Sequence, residues 1–319
     1  MQNALVLEGV RKRYQEHVAV RSLDLAVPAG SIYGILGPNG AGKSTTIRMA
    51  LNIIGCDAGR VSLLGSDPAQ HRDVLKRVGY LPEERGLYRR MTVTEVIVFF
   101  ARLKGMSVEA ARTETDRWIE RMGLGDWRRA KVETLSKGMQ QKVQFIATVS
   151  HQPQLLILDE PASGLDPVNQ EVLRETILDA KREGRTVILS THNMQHAEQL
   201  CDAVCIIAGG EKILDGSLDA IRREHRDPRF AVSFEGPSES AEKFLRTRQG
   251  PFIGAVRKRE GWELELAPGA SIHEALASLN SLDVGIERFA RVQPSLHEIF
   301  IKRVGRSAAP VRRQVLAHA

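Results

Sequence analysis

The amino-acid sequence predicts an α/β fold with a parallel sheet, followed by a small α+β domain. Short apolar runs typical of strands alternate with helical patterns from Ala4 to about Leu214. A glycine-rich loop lies between one of these runs and the next helix. A charged stretch that ends in proline, residues 222–228, separates this part from a second set of strands and helices.

The glycine-rich loop has the composition of a phosphate-binding loop. It follows the apolar run of residues 32–36 and reads Gly37, Pro38, Asn39, Gly40, Ala41, Gly42, Lys43, Ser44 and Thr45. Glycines let the backbone wrap an anion with its N–H groups pointing inward, Lys43 adds a positive charge, and Ser44 offers a hydroxyl to Mg²⁺. An ordinary glycine turn is the alternative, and the position between a strand and a helix argues against it.

Two adjacent carboxylates end another apolar run. Residues 155–158 are Leu, Leu, Ile and Leu, a buried-strand pattern, and Asp159 and Glu160 follow. Strand alternation points these two side chains in different directions. We therefore expect Asp159 to hold Mg²⁺, directly or through water, and Glu160 to polarise the water that attacks a terminal phosphate. Taken alone, the pair could simply end a strand.

Five further features accompany the loop and the carboxylates. They are Tyr14 in an Arg-Lys-Arg-Tyr segment, the runs Val78–Glu83, Leu135–Met139 and Ser163–Asp166, and His192 after a predicted strand. Alone, Tyr14 could be a surface aromatic and His192 a helix-entry histidine. Together, over about residues 3–222, these features resemble the nucleotide-binding subunit of an ATP-binding cassette (ABC) transporter. The resemblance implies a P-loop NTPase fold with a mixed sheet core plus a helical subdomain. It also implies that the protein hydrolyses ATP with Mg²⁺.

The resemblance also implies roles within one nucleotide site. Tyr14 would stack on adenine, residues 37–45 would hold the phosphates, and His192 would contact the terminal phosphate. The implied catalytic residues are Glu160, His192 and Lys43. The implied metal ligands are Ser44, Asp159 and Glu83.

Two loops would act across a dimer of cassettes. The first is the signature loop, Ser136, Lys137, Gly138 and Met139, which in the family caps the terminal phosphate held by the opposite subunit. The second is the dimer loop, Ser163, Gly164, Leu165 and Asp166, which joins the two sites. Ser136 also precedes a predicted helix, so that an ordinary helix cap is an alternative that can coexist with the functional role.

Three positions depart from the common family pattern. Lys137 stands in place of a glycine and Met139 in place of a glutamine, while Glu83 replaces the glutamine of the loop that links the nucleotide to the membrane partner. A carboxylate at position 83 adds negative charge beside the triphosphate and its metal. Such substitutions are similar to those of bacterial exporter ATPases of the drug- and sodium-extrusion type.

The resemblance and the sequence patterns divide the chain into three parts. Residues 1-222 form the predicted cassette, residues 228-304 an accessory α+β domain, and residues 305-319 a basic tail that we expect to be disordered. Within the cassette, residues 84-152 contain predicted helices at Thr92–Lys104, Val108–Met122 and Met139–Ser150, with little strand between them. In the family, this helical subdomain receives a helix of the transporter.

The accessory part is predicted to alternate strands and helices. The expected strands are Arg229–Glu235, Gly254–Arg259, Gly261–Leu266 and Val284–Arg291, and the expected helices are Ser238–Thr247, Ile272–Leu279 and Ser295–Arg303. With its closing segment Gln293–Phe300, this part resembles the small domain that follows the cassette in some bacterial exporter ATPases. It carries no catalytic set of residues, so the roles that remain for this part are dimer contact or regulation.

Composition narrows the cellular setting. The net charge is +6, but five of the positive charges lie after residue 301, so the rest is near balance and no basic footprint for nucleic acid is evident. No stretch approaches the length of a membrane helix, and the start lacks a signal-peptide pattern. We expect a cytoplasmic protein, peripheral on the inner face of the cell membrane, with three reduced cysteines.

Three functions remain to be weighed. The first is an ATPase subunit of a membrane exporter, working as a dimer, expected to be a homodimer, with separately encoded transmembrane permease subunits and no nucleic acid. The second is a soluble cassette ATPase acting on nucleic acid or ribosomes, whose members usually carry paired cassettes, a coiled coil or zinc-binding cysteines. The third, a scaffold that only binds ATP, is disfavoured because the predicted catalytic residues are all in place.

Overall fold

The computed structural model describes residues 2–305 except 85, 226–228, 237–238, 248–249, 259–260 and 283. The chain divides into two units, of which the first reaches Leu218 and also includes the chain from Phe300, and the second spans Asp219–Ile299. The predicted domain limits of 1-222 and 228-304 stay predictions. The predicted tail lies, from residue 306 onward, outside the described residues.

A six-stranded sheet, counted over the described residues, forms the centre of the first unit. Its order is β5-β6-β7-β3-β8-β9. The strands are β3 (Ile32–Leu36), β5 (Val78–Leu81), β6 (Leu155–Asp159), β7 (Thr186–Thr191), β8 (Ala203–Ala208) and β9 (Glu211–Ser217). All neighbours are parallel except β8 and β9. Strands β3, β6 and β7 are buried along their whole length, as parallel strands usually are, and their carboxyl ends meet at one edge.

A second, three-stranded sheet is antiparallel, with β1 (Asn3–Tyr14) between β2 (His17–Pro28) and β4 (Ala58–Leu63). The prediction of parallel strands throughout the first part was wrong for these elements. Only two residues separate β1 from β2, and so short a connection permits an antiparallel hairpin but no parallel pair. The mixed architecture implied by the family resemblance is confirmed.

The helices of the first unit, all but the first of them, begin at polar caps. They are α1 (Lys43–Ala50), α2 (Val93–Leu103), α3 (Val108–Arg121), α4 (Lys137–Val149), α5 (Pro167–Arg182) and α6 (Met194–Leu200). Helix α4 starts two residues earlier than predicted, because the Ser136 hydroxyl accepts a 3.3 Å hydrogen bond from the Met139 N–H and caps the helix. Helix α2 has a full capping box between Thr92 and Glu95.

The second unit contains a four-stranded antiparallel sheet with the order β11-β12-β10-β13. Its elements are α7 (Leu218–Glu224), β10 (Arg229–Phe234), α8 (Glu239–Arg246), β11 (Phe252–Lys258), β12 (Gly261–Leu266), α9 (Ile272–Asn280) and β13 (Ile286–Arg291), and α10 (Leu296–Gly305) follows. Alternate strand residues such as Val232, Trp262 and Leu264 pack with Leu245 of α8 and Leu279 of α9. The predicted order of elements is therefore confirmed. The predicted starts of β11 and β13 are each wrong by two residues.

No helix within the described ranges is long and apolar enough to cross a membrane. The three cysteines are free thiols, two of them buried. Burial raises the pKa of Cys201 to about 12, which keeps this thiol protonated at neutral pH. The cysteines therefore serve as packing residues, as expected.

Candidate active site

The loop of residues 37–42 joins β3 to α1 in a conformation that only glycine permits at two points. Gly37 has φ 150°, and a Cβ there would lie 2.1 Å from the carbonyl oxygen of Ile207. Gly42 has φ 105°, and its Cβ would lie 2.5 Å from the carbonyl oxygen of Ala19. Side chains at these positions would displace backbone from two neighbouring strands, so the glycines fix the path of the loop.

Lys43 is enclosed by the loop that precedes it. Its side chain is 6% exposed, and its ammonium donates to the carbonyls of Gly37 at 2.8 Å and Pro38 at 3.2 Å. The ammonium also lies 3.6 Å from Oε1 of Glu160. Of the other predicted phosphate-binding residues, Ala41 is buried, Ser44 and Thr45 lie half-buried in the first turn of α1, and Asn39 and Gly40 are exposed.

Glu160 follows the last residue of β6 and its carboxylate is held from β7. Its backbone adopts φ 48°, the left-handed region, which is uncommon for a residue with a side chain. One carboxylate oxygen, Oε1, accepts the backbone N–H of His192 at 2.9 Å and lies 2.9 Å from Nδ1 of that histidine. The other, Oε2, accepts the Thr191 hydroxyl at 3.2 Å. Three predicted catalytic residues, Lys43, Glu160 and His192, are thus brought together.

Asp159 presents an unpaired buried carboxylate beside this cluster. The residue is 1% exposed, and neither carboxylate oxygen has a hydrogen-bond partner within the described part of the chain. A buried carboxylate without a partner is costly, and a cation removes that cost. Because Mg²⁺ takes one or two carboxylates together with phosphate oxygens and water, Asp159 and the Ser44 hydroxyl fit such an ion.

Sequence reasoning missed a tyrosine near Asp159 and an arginine that forms a hydrogen bond with this tyrosine. Burial raises the pKa of Tyr80, and the negative charges of Asp159 and Glu83 add to that rise, while a hydrogen bond from Arg48 lowers it. The charges of Asp159 and Glu83 therefore act on the same phenol. No short motif marks Tyr80 or Arg48, because they meet only once β5 and α1 are folded.

The signature loop occupies the first turn of α4. Ser136 and Lys137 are exposed, while Gly138 and Met139 are half-buried. A Cβ at Gly138 would meet no atom of the described residues within 4 Å, so none of these residues requires glycine there. The hydrogen bonds of the cluster around Glu160, given above, do not involve these residues.

The dimer loop is tied to Glu160 by a backbone hydrogen bond. The Ser163 N–H donates to the Glu160 carbonyl at 3.1 Å, which ties the loop to that residue. Asp166 caps α5 by accepting the Asn169 N–H at 3.0 Å, and hydrogen bonds from Asn169 hold the pKa of this carboxyl below its usual range. Ser163, Gly164 and Asp166 are exposed.

Tyr14 stands apart from the cluster at the end of β1. Its side chain is 45% exposed, and the Lys12 ammonium lies 5.6 Å from the ring centre. An exposed ring of this kind is free to stack on a flat ligand. Its predicted contact with adenine stays a prediction.

Gln144, which the sequence did not reveal as a site residue, joins α4 to the Glu83 loop. The side-chain amide of Gln144 donates to the carbonyls of Pro82 at 3.4 Å and Glu84 at 3.1 Å, on either side of Glu83. The Thr148 hydroxyl is 3.4 Å from the Tyr80 carbonyl. The helix that starts with the signature loop is therefore tied to the loop predicted to contact the membrane partner.

The fold and this arrangement define a nucleotide-binding cassette, and comparison with known proteins agrees. Residues 20–163 match the family model of the ABC transporter, and residues 216–304 match that of the C-terminal domain of DrrA1-3-like ATP-binding proteins. The ABC transporter ATP-binding protein YhaQ of Bacillus subtilis is 40% identical over 94% of this chain and 98% of its own. The Nod factor export ATP-binding protein I of Burkholderia orbicola is 39% identical over 67% of this chain and 70% of its own.

A solved structure, that of the ATP-binding subunit of an ABC transporter, superimposes with a TM-score of 0.66 at 30% identity, covering 70% of this chain and 93% of that one. The chain belongs to the ABC transporter ATP-binding proteins. The predicted P-loop cassette fold and ATPase activity are thereby confirmed. Such subunits bind ATP and work with transmembrane permease partners.

Proposed function

We propose that this chain powers a membrane exporter through ATP-driven dimerisation of two cassettes, at the inner face of the cell membrane. The observation that carries the proposal is the position of the Glu160 carboxylate, 3.6 Å from the Lys43 ammonium and 2.9 Å from the His192 ring. This position supports the proposed role of Glu160 in polarising water beside Lys43, the proposed phosphate-binding cation. The relative named for Nod factor export supports the direction of transport.

The proposed chemistry assigns each side chain of the cluster one task. The glycine-rich loop and Lys43 bind the outer phosphates, and the Glu160 carboxylate orients the attacking water and accepts its proton. The N–H and ring of His192 hold that carboxylate in place, and the ring also reaches the terminal phosphate. Bound Mg²⁺, held by Ser44 and Asp159 with Glu83 nearby, would neutralise the charge of the phosphates.

The site is proposed to be completed by a second copy of the chain. The exposed Ser136 hydroxyl, the N–H groups of Lys137 and Gly138 at the start of α4 and the open space at Gly138 suit contact with an anion that this copy does not hold. Ser163 to Asp166, exposed and tied to the Glu160 carbonyl, would carry the contact between the two sites.

The membrane partner is proposed to dock on the helical subdomain near the Glu83 loop. The departures at Glu83, Lys137 and Met139 favour the drug- and sodium-extrusion branch of the exporters. Gln144 supports a link between this surface and the signature loop because its amide donates to both carbonyls that flank Glu83. The partners would then be separately encoded permease subunits.

The substitution Glu160→Gln tests the proposal by separating ATP binding from ATP hydrolysis. The variant keeps an oxygen for the His192 N–H but lacks a basic carboxylate, so we expect nucleotide affinity within about twofold of the parent and hydrolysis reduced by about 100-fold or more. Lys43→Ala should instead weaken ATP binding by roughly tenfold. Nucleotide titration and single-turnover hydrolysis measure the two effects.

The matched control is Glu171→Gln, which removes an exposed glutamate of α5 that pairs with Arg174. It should leave both quantities unchanged. Near-normal turnover in Glu160→Gln would remove Glu160 from the proposed role, whereas loss of ATP binding in that variant would show that the carboxylate serves binding.

A further inference from the structure

A basic pocket lies within the second unit, apart from the nucleotide site. Its volume is about 520 Å³, within the range of small-molecule sites. It is lined by Asp219, Arg222, Arg223, Arg291, Val292, Gln293 and Pro294. Three arginines and one aspartate thus contribute to the lining, which gives the pocket an excess of positive charge.

Among the described residues, the two arginines of α7 lack the carboxylate partners that Arg229 and Arg257 have. Arg229 pairs with Glu263 at 2.6 Å, and Arg257 pairs with Glu242 at 2.9 Å. Neither Arg222 nor Arg223 forms an ion pair with any carboxylate among the residues that the structure describes. Within the described residues, no ion pair therefore neutralises their charge.

Arg222 has a buried donor without an acceptor. Its Nε is inaccessible to solvent and has no hydrogen-bond partner in the described part of the chain. A buried N–H without an acceptor costs free energy, and a rotation of the guanidinium toward a bound phosphate oxygen would recover that cost. The neighbouring Arg223 is anchored through its Nε, which donates to the Asp219 carbonyl at 3.2 Å.

Arg291 is held in place by an aromatic ring. Its guanidinium lies 4.8 Å from the centre of the Phe230 ring, and Phe230 in turn stacks on Phe289 at 5.1 Å. A guanidinium fixed by its face still presents N–H groups along its edge. The third cation of the pocket is therefore positioned by packing.

We propose that this pocket binds a phosphate group. A carboxylate carries one charge and two oxygens, which a single guanidinium fork can satisfy. A phosphate has up to two charges and three or more acceptor oxygens, so it can engage guanidinium groups on several sides, and the Gln293 amide is a further donor in the lining. The phosphate comes from a soluble phosphate compound or from the headgroup of an anionic lipid.

Titration with inorganic phosphate tests the site in the full chain. The nucleotide site is first saturated with ADP and Mg²⁺, and the titration is repeated in Lys43→Ala, so that the glycine-rich loop does not contribute. We expect saturable binding that Arg222→Gln weakens by about tenfold. Arg222→Lys, which keeps the charge but lacks the Nε donor, should also weaken it. The control Arg246→Gln removes an exposed arginine of α8 and should bind like the parent.

Sedimentation with vesicles distinguishes the two sources of phosphate. Vesicles of phosphatidylglycerol and phosphatidylcholine are compared with vesicles of phosphatidylcholine alone, for the parent and for Arg222→Gln. Weaker binding of the variant to the anionic vesicles assigns the site to a lipid headgroup. Equal vesicle binding with impaired phosphate titration assigns it to a soluble compound.

Unchanged phosphate and vesicle binding in Arg222→Gln, or no saturable phosphate binding in the parent, would overturn the proposal. Circular dichroism melting shows whether each variant folds. If Arg222→Gln unfolds, Arg291→Lys provides the second test, because it keeps the charge over Phe230 while removing the planar fork. If Arg291→Lys and Arg222→Lys both fold and both bind phosphate as the parent does, the assignment is likewise contradicted.

Discussion

Thr191 connects the end of β7 to the Glu160 carboxylate. Its hydroxyl donates to Oε2 of Glu160 at 3.2 Å and accepts the Asn193 N–H at 3.1 Å, and the residue is 6% exposed. Since the His192 N–H and ring engage the other oxygen, Thr191 fixes the rotation of the carboxylate about its last bond. It is a positioning residue for the proposed water-activating group.

Replacing Thr191 tests that positioning. Thr191→Val keeps the shape but removes the donor, and a hydrogen bond to a charged group contributes about 1.5–3 kcal/mol, so kcat should fall by roughly tenfold to a hundredfold. ATP affinity should stay within about twofold, since no phosphate contact is removed. Thr191→Ser, which retains the hydroxyl, should recover most of the rate.

Steady-state hydrolysis, nucleotide titration and melting curves for each variant test whether the Thr191 hydroxyl positions Glu160. Equal rates in Thr191→Val and Thr191→Ser would show that the hydroxyl does not position Glu160. A parallel fall of rate and melting temperature in both would point to a structural role alone.

At the scale of residues, the part of the candidate site that the sequence predicts consists of motifs of adjacent amino acids. Lys43 and Asp159 were found because glycine spacing and a strand with two terminal carboxylates are local patterns. Thr191 and Tyr80 were missed because their partners are distant in sequence, and their contacts exist only when strand ends align. The left-handed backbone of Glu160 follows likewise from its tertiary contacts.

At the scale of elements, α4 carries the contact between two loops. Gln144 is 5% exposed, and its amide holds the carbonyls on both sides of Glu83. Gln140, in the same helix, donates to the carbonyls of Val132 and Leu135, at 3.1 Å each. The two glutamines thus have similar chemistry, but only Gln144 reaches the Glu83 loop.

Gln144→Met is expected to uncouple hydrolysis from the membrane partner. The substitution keeps the length of the side chain and removes both donors, so the Glu83 loop no longer follows α4. We expect basal hydrolysis within about twofold of the parent, and the ratio of partner-stimulated to basal rate reduced by roughly fivefold. Reconstituted complexes provide both rates.

Gln140→Met serves as the matched control and should preserve the stimulation ratio. A proportional loss of basal and stimulated rates in Gln144→Met would mean that the amide supports only the chemistry or the fold. Equal effects of the two glutamine substitutions would argue against a special role for Gln144.

The order of helices and strands was largely predictable, and sheet pairing less so. Capping residues such as Ser136 and Thr92 mark helix starts locally. The antiparallel sheet of β1, β2 and β4 was mistaken for part of a parallel sheet, since apolar periodicity defines strands without stating their partners. The start of β11 was wrong because Phe252, a core residue, precedes the glycine at which the strand was expected to begin.

At the scale of the molecule, the proposed split site makes activity depend on association. The cluster around Glu160 lies in one copy, and Ser136 and Gly138 are proposed to serve the nucleotide of another. Specific hydrolysis activity should therefore rise with protein concentration until dimers dominate. Sedimentation across the same concentrations gives the population of each species.

Constant specific activity through the transition from monomer to dimer would contradict composite sites. Mixing Glu160→Gln with a Ser136→Ala variant offers an internal control, because a heterodimer of the two regains one site in which both groups are intact. Hydrolysis by the mixture above that of either variant alone is expected.

Helix α4 would couple the two nucleotide sites of the proposed dimer thermodynamically. Its first turn is proposed to contact the nucleotide of the partner subunit, while Gln144 restrains the loop that is proposed to lie beside its own nucleotide. A shift of one rigid helix would then alter the free energy of both bound nucleotides. Linkage is reciprocal, so whatever the first ATP does for the affinity of the second, the second must do for the first. The pair of cassettes would then behave as a cooperative unit.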